Sequence, residues 1–264
     1  MNHALSVSIL DFQEELPFYA PKIKAIARSG AHNLHIDYMR RPFTEADAFQ
    51  PEPVEDLYQE LDGAIPFDFH LMIREPIEII QSIEAMVPGD LRERTRVTFH
   101  SEAYRSEELV ELADKKYDWL THDTGDPSQN EALQAADRRS KALVEATLIR
   151  LRDARFRVGL ALEPGTSLEN VSESMARHLD TLLLMTVHSG QGGQSYMGEE
   201  VEPKIRAAAE RYPDLVLQVD GGINAATLPR AMAAGATDFV IGSYITRAPD
   251  PTANIREVLD RFVF

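Results

Sequence analysis

The chain has 264 residues, 44% of them hydrophobic, which is enough for a large buried core and too apolar for a disordered chain. Its formal net charge of −16 lacks the basic footprint of a general nucleic-acid binder, although a small pocket can still be locally positive toward a phosphorylated ligand. With no cysteine, disulfides and thiolate metal sites are excluded. In chain order, strands are expected at 5–10, 33–39, 67–72, 96–100, 157–162, 181–187, 216–222 and 238–243. Helices are expected at 18–29, 53–61, 76–86, 106–116, 129–153, 199–211, 225–234 and 252–261. Eight strands alternating with helices predict an α/β fold, a single (β/α)8 TIM barrel over 1–264, with a doubly wound open sheet as the alternative.

Residues 101–156 exceed what one strand–helix connection needs. An extra loop and helical insertion is therefore expected between strands 4 and 5, at about 117–150, with the turn-rich "DTGDPSQN" inside it. No run approaches the roughly 20 apolar residues of a membrane span. The start, "MNHALSVSIL", has no charged region followed by a long apolar run, so a cytoplasmic protein is expected.

Strand side chains alternate with period two. In "NLHIDYM", Leu34, Ile36 and Tyr38 share one face, and His35, Asp37 and Met39 the other. In "FDFHLM" the polar face carries Asp68, His70 and Met72. In "VLQVDGG" it carries Gln218 and Asp220, and Ser6 and Ser8 share a face of the first strand. Barrel active sites lie at the carboxyl ends of the strands. His35, Asp37, His70 and Asp220 are therefore expected to converge there. Buried charges are costly unless paired or bound to metal. Two imidazoles and two carboxylates suit one divalent ion such as Zn²⁺, Fe²⁺, Mn²⁺ or Co²⁺. The alternative is that each is a core polar residue satisfied by its neighbours.

Three glycine-rich segments follow the last three strands: "HSGQGGQSYMG", "DGGIN" and "GSYIT". Glycine admits positive φ and close backbone approach, and backbone N–H groups at such turns bind anions. Barrels often hold a phosphate there.

Taken together, "LHIDYM", "FDFHLMIREPIEII", "VTFHSEA", "VGLALEPGTSLENV", "LLLMTVHSGQGGQSYM" and "LQVDGGINAATLPRAMAAGATDFVIGS" resemble the ribulose-phosphate 3-epimerases. The likeness spans most of the chain outside the insertion. It implies a (β/α)8 barrel with a divalent metal held by His35, Asp37, His70 and Asp220. Asp37 and Asp220 match the family's catalytic pair, which moves a proton at C3 of a ketose phosphate through an enediolate. Met39, Met72 and Met185 match methionines that line the cavity, and Ser8 a serine near the substrate. Gly190, Gln191, Gly192, Gly193, Gly221, Gly222, Gly242 and Ser243 match phosphate-side positions. The implied reaction interconverts D-ribulose 5-phosphate and D-xylulose 5-phosphate. The alternatives are 3-epimerisation of a hexulose 6-phosphate such as D-allulose 6-phosphate, an aldolase or decarboxylase, and a non-catalytic sugar-phosphate-binding barrel. The expected partner is a small-molecule sugar phosphate, with no nucleic acid and no membrane; a homo-oligomer is compatible with the sequence.

Three segments depart from the family pattern. "RRPFTEADAFQPEP" replaces Asp-Gly-x-Phe-Val-Pro-Asn, which makes Arg40 and Arg41 either substrate contacts or exposed loop charges. His188, Ser189 and Gln191 stand where Asn, Pro and Phe are usual, and Glu163 where Asn is common.

Overall fold

The eight β-rich segments are strands β1 (Ala4–Ser8), β2 (Asn33–Met39), β3 (Phe67–Met72), β4 (Arg96–His100), β5 (Arg157–Leu162), β6 (Thr181–Met185), β7 (Val216–Asp220) and β8 (Asp238–Ile241), in a computed structural model that describes residues 3–105, 127–190 and 192–262. Each strand pairs in parallel with the next, and β8 pairs back onto β1, so the sheet closes in the order β1 to β8. That last pairing excludes the open sheet. The apolar face of each strand meets the surrounding helices: Leu34, Ile36, Phe67, Phe69, Leu71, Val97 and Phe99 are all buried.

Around the barrel run α1 (Leu16–Ala27), α2 (Pro51–Leu61), α3 (Ile77–Met86), α4 (Pro127–Asp153), α5 (Glu173–Ala176), α6 (Gly198–Arg211), α7 (Leu228–Ala234), α8 (Ser243–Thr246) and α9 (Pro251–Phe262). The helix expected over 106–116 and the start of the insertion, 117–126, lie outside the described residues. The remainder of the insertion belongs to α4, between β4 and β5. Val144, Leu148 and Leu151, spaced four and three apart, form its buried face. Arg150 clamps Glu84 of α3 with two hydrogen bonds of 3.0 and 2.8 Å. The four-residue α5 and α8 are too short to show a helical period. Ser172 caps α5 by accepting a hydrogen bond from Met175 N at 3.2 Å.

Four strands end about two residues earlier than their hydrophobic runs suggest: β1, β6, β7 and β8. The cause is local. After β7, Gly221 and Gly222 turn to φ of +119° and +67°, and no strand continues through such angles. After β1 the chain enters a 3-10 turn at Leu10–Glu15. The carboxyl rim is thus built from turns, above strand ends where Ser8, Asp37 and His70 stay buried and Asp220 is partly exposed.

Candidate metal centre and active site

Register brings the polar strand ends together. Asp37 pairs beside His70 across β2 and β3, and His35 beside Asp68. One nitrogen or oxygen from each of His35, Asp37, His70 and Asp220 lies within 4.8 Å of the other three. His35 Nε2 is 3.2 Å from Asp37 Oδ1 and 3.7 Å from Asp220 Oδ2; His70 Nδ1 is 3.1 and 3.4 Å from the same two atoms. Both imidazoles are fully buried, Asp37 nearly so, and Asp220 is 16% exposed toward the cavity above.

Burial by itself would push both imidazoles down. For His35 the Asp37 and Asp68 carboxylates outweigh it, and for His70 Asp220 and Asp37 do, so both histidines sit above their ordinary range. Burial pushes Asp37 up, but His35 and His70 together hold it below the usual carboxylate range. The acids of the cluster favour protons on the two imidazoles, and a divalent cation can take over that balance. Two buried nitrogen and two carboxylate donors converging at this spacing fit a first-row divalent ion.

Beneath the cluster lies a second polar layer. Asp68 Oδ2 accepts from His35 Nδ1 at 2.8 Å, which turns Nε2 toward the cluster as the nitrogen that could ligate a cation. Arg96 donates to both Asp68 oxygens at 2.7 and 2.5 Å and to Asp238 at 2.7 Å. Gln218 Nε2 donates to Asp68 and Asp238 at 2.7 and 3.2 Å, and Ser6 Oγ to Asp238 at 2.9 Å. Burial raises Asp68, yet Arg96 and His35 hold it well below the usual range. Sequence reading assigned no role to Asp68, Arg96, Gln218 or Asp238. Their signal was parity: each lies two residues before a position on the same inward face.

Above the cluster opens a cavity of about 650 Å³ lined by Ser8, Asp37, Met39, Met72, Met185 and Asp220. Ser8 Oγ donates to Asp37 Oδ2 at 2.7 Å and so fixes that carboxylate. Gly190, Gly192, Gly193, Gly221, Gly222, Gly242 and Ser243 line the same cavity, while Gln191 lies outside the described residues. At Gly222 a β-carbon would stand 2.4 Å from Tyr196 N, so only glycine lets the turn after β7 lie against the segment after β6. Asn224 and Thr227 tie this turn: Thr227 Oγ1 donates to Gly222 O at 2.9 Å, and Asn224 Oδ1 accepts from Ala226 N at 2.9 Å.

The rim holds residues that sequence reading missed. Arg230 and Arg247 line the cavity, held by Glu202 at 2.9 Å and Asp11 at 2.7 Å. Each brings a guanidinium, paired with a carboxylate, to the cavity that the glycine turns also line. Arg40 and Arg41 are not among the cavity-lining residues. Arg40 donates to the carbonyls of Met39, Ala48 and Phe49 at 2.6, 2.7 and 2.7 Å, and Arg41 to Glu45 O at 2.8 Å. Both stitch the loop after β2 to itself. That loop lays Phe43 against His100, with ring centroids 4.8 Å apart.

A family model described as the ribulose-phosphate 3 epimerase family matches residues 4–116 and 136–246. The chain is 30% identical over 237 residues to a ribulose-phosphate 3-epimerase of Mycobacterium tuberculosis, covering 88% of this chain and 82% of that one. It is 29% identical over 242 residues to a ribulose-phosphate 3-epimerase of Bacillus subtilis, covering 90% of each. Among solved structures, 3-hexulose-6-phosphate synthase from Salmonella typhimurium superposes with a TM-score of 0.58 at 14% identity, over 97% of each chain, a likeness of fold alone.

Proposed function

The chain belongs to the ribulose-phosphate 3-epimerase family, and we propose that it interconverts D-ribulose 5-phosphate and D-xylulose 5-phosphate by proton transfer at C3. It is a carbohydrate epimerase. The observation that carries the finer reading is the meeting of Asp37 and Asp220, from β2 and β7, around the same two imidazoles at the floor of an open cavity.

His35, Asp37, His70 and Asp220 would hold one divalent cation, of Zn, Fe, Mn or Co. When bound, it supplies Lewis-acid stabilisation of negative charge on the sugar oxygens. Asp37, oriented by Ser8, takes the C3 proton on one face of the sugar. Asp220 returns a proton on the other face, so C3 inverts. The two carboxyls exchange the roles of acid and base with the direction of reaction. Met39, Met72 and Met185 form an apolar, pliable wall that offers no competing acid. The glycine turns after β6, β7 and β8 present backbone N–H groups to the phosphate, with Arg230 and Arg247 nearby.

A sugar phosphate is the only partner this reading requires, and nucleic acid and membrane have no part in it. Among the described residues no helix is long and apolar enough to cross a membrane. A cytoplasmic setting belongs to the same reading, and one relative, from Oryza sativa, is named a cytoplasmic isoform.

The test is deuterium incorporation at C3 across a panel of ketose phosphates, with and without chelator. Chelator-sensitive exchange on ribulose 5-phosphate supports the reading. Preferred exchange on a hexulose 6-phosphate moves the substrate, and no exchange on any member overturns the epimerase chemistry.

A further inference from the structure

His70 turns its second nitrogen away from the four-residue cluster. Its Nε2 meets Nε2 of His100 at 2.9 Å, with the two rings within 18° of parallel. In such a contact one nitrogen carries the hydrogen and the other a lone pair. The far side of His100 decides which. His100 is fully buried, and its Nδ1 faces Glu102 Oε2 at 3.5 Å and Glu163 Oε1 at 3.4 Å. Among the described residues, none of these three buried atoms has a hydrogen-bond partner.

A lone pair on Nδ1 would set three acceptors facing one another in a site shut off from water. A hydrogen on Nδ1 directs positive charge at both carboxyl groups instead. His100 then keeps its lone pair at Nε2, so His70 must donate from its own Nε2. With a cation in the cluster, His70 Nδ1 is thereby left to offer its lone pair on the side of Asp37 and Asp220. We propose that Glu102 and Glu163 set the tautomer of His70 through His100, which makes His100 a positioning residue for the donor atom that His70 offers a divalent cation. The proposal rests on the metal reading above.

Both carboxyl groups are built in. Glu102 Oε1 accepts from Glu163 N at 3.2 Å. Glu163 Oε2 accepts from Ser189 N at 3.3 Å, which joins this relay to the glycine segment after β6. Lys204 Nζ donates to the carbonyls of Glu163, Pro164 and Thr166 at 2.7, 3.0 and 3.0 Å and pins the loop that carries Glu163. Phe43 covers the His100 ring. The divergent loop after β2 and Glu163 thus meet at one imidazole, and Ser189 joins them through Glu163.

The test has two arms at neutral pH. In histidine-labelled protein, long-range proton–nitrogen NMR with and without zinc should show His100 as the Nδ1–H tautomer in both states, and zinc-loaded His70 with its hydrogen on Nε2. A hydrogen on Nε2 of His100 overturns the proposal, whether or not the protein binds zinc. In the second arm, zinc affinity is measured by chelator competition in His100→Leu and His100→Gln, with the folded fraction checked by thermal unfolding. His100→Leu cannot accept from His70 and should bind zinc about tenfold or more weakly. His100→Gln offers an amide oxygen and should recover most of that loss. Leucine binding as tightly as histidine, or glutamine no better than leucine in folded protein, overturns the relay. A parent protein that binds no zinc removes the metal reading instead, and the His100 tautomer still decides the relay.

Discussion

Asp68 accepts a hydrogen bond of 2.8 Å from Nδ1 of His35 while Arg96 grips both oxygens of the same carboxylate. One buried acid therefore both orients a cluster histidine and neutralises a barrel-floor arginine. Asp68→Asn removes the charge and leaves Arg96 with Asp238 alone. Breaking a buried ion pair from one side costs about 3–5 kcal/mol. Denaturant unfolding of the metal-free variant should show a loss of that size, and divalent-ion affinity should fall about 10–100-fold. Unchanged affinity in folded Asp68→Asn would detach His35 from this support.

Asp220 is the more open of the two acids at the cavity floor. Asp220→Asn keeps the shape and removes the proton carrier. General acid–base groups contribute about 10²–10⁴-fold in rate. The expected result is a kcat loss at or above that range, together with weaker cation binding. Restoring saturation with excess cation should leave the kcat loss in place. Full recovery of kcat would assign Asp220 to metal binding alone.

Gly222 combines a φ of +67° with a neighbouring backbone nitrogen 2.4 Å from any added β-carbon. Gly222→Ala must separate the turn after β7 from the segment after β6. Overpacking of this kind costs about 1–3 kcal/mol. Because both segments border the proposed phosphate end, KM should rise by about tenfold while kcat changes less. A kinetic profile equal to the parent's would place the phosphate elsewhere.

Lys204 donates to three carbonyls in a largely buried position, and burial, opposed by Glu102 and Glu163, lowers its amine to about 8. An unfolded lysine titrates near 10.4. Between those values the unfolded chain binds more protons than the folded one, so this residue makes stability rise with pH across that window. Comparing unfolding of the parent with Lys204→Met from pH 7 to 11 isolates the contribution. The difference should grow in the parent's favour above about pH 8 and level off near 10.4. A pH-independent difference would mean that Lys204 keeps an ordinary affinity for its proton.

Much of the site is legible because a parallel barrel turns a period of two into a direction. Once "LHIDYM" and "FDFHLM" are read as strands, His35, Asp37 and His70 must share the inward face, and the residues two positions away share it too. The methionine positions and the glycine turns follow from the same parity and from backbone freedom after each strand. Arg40 and Arg41 show where that logic stops. A loop has no period, so nothing local says that Arg40 spends its donors on Met39, Ala48 and Phe49 rather than on a ligand.

The linear chain by itself determined the eightfold alternation, the inward faces and the kind of donor at each strand end, since these depend on side-chain type and spacing along one segment. Tertiary structure alone decided that Arg96 would lie between Asp68 and Asp238, that His100 would face both Glu102 and Glu163, and that Arg230 and Arg247 would border the cavity. Those pairs join residues up to 142 positions apart. Their contacts arise from barrel closure and strand register, which bring together groups that no local pattern links.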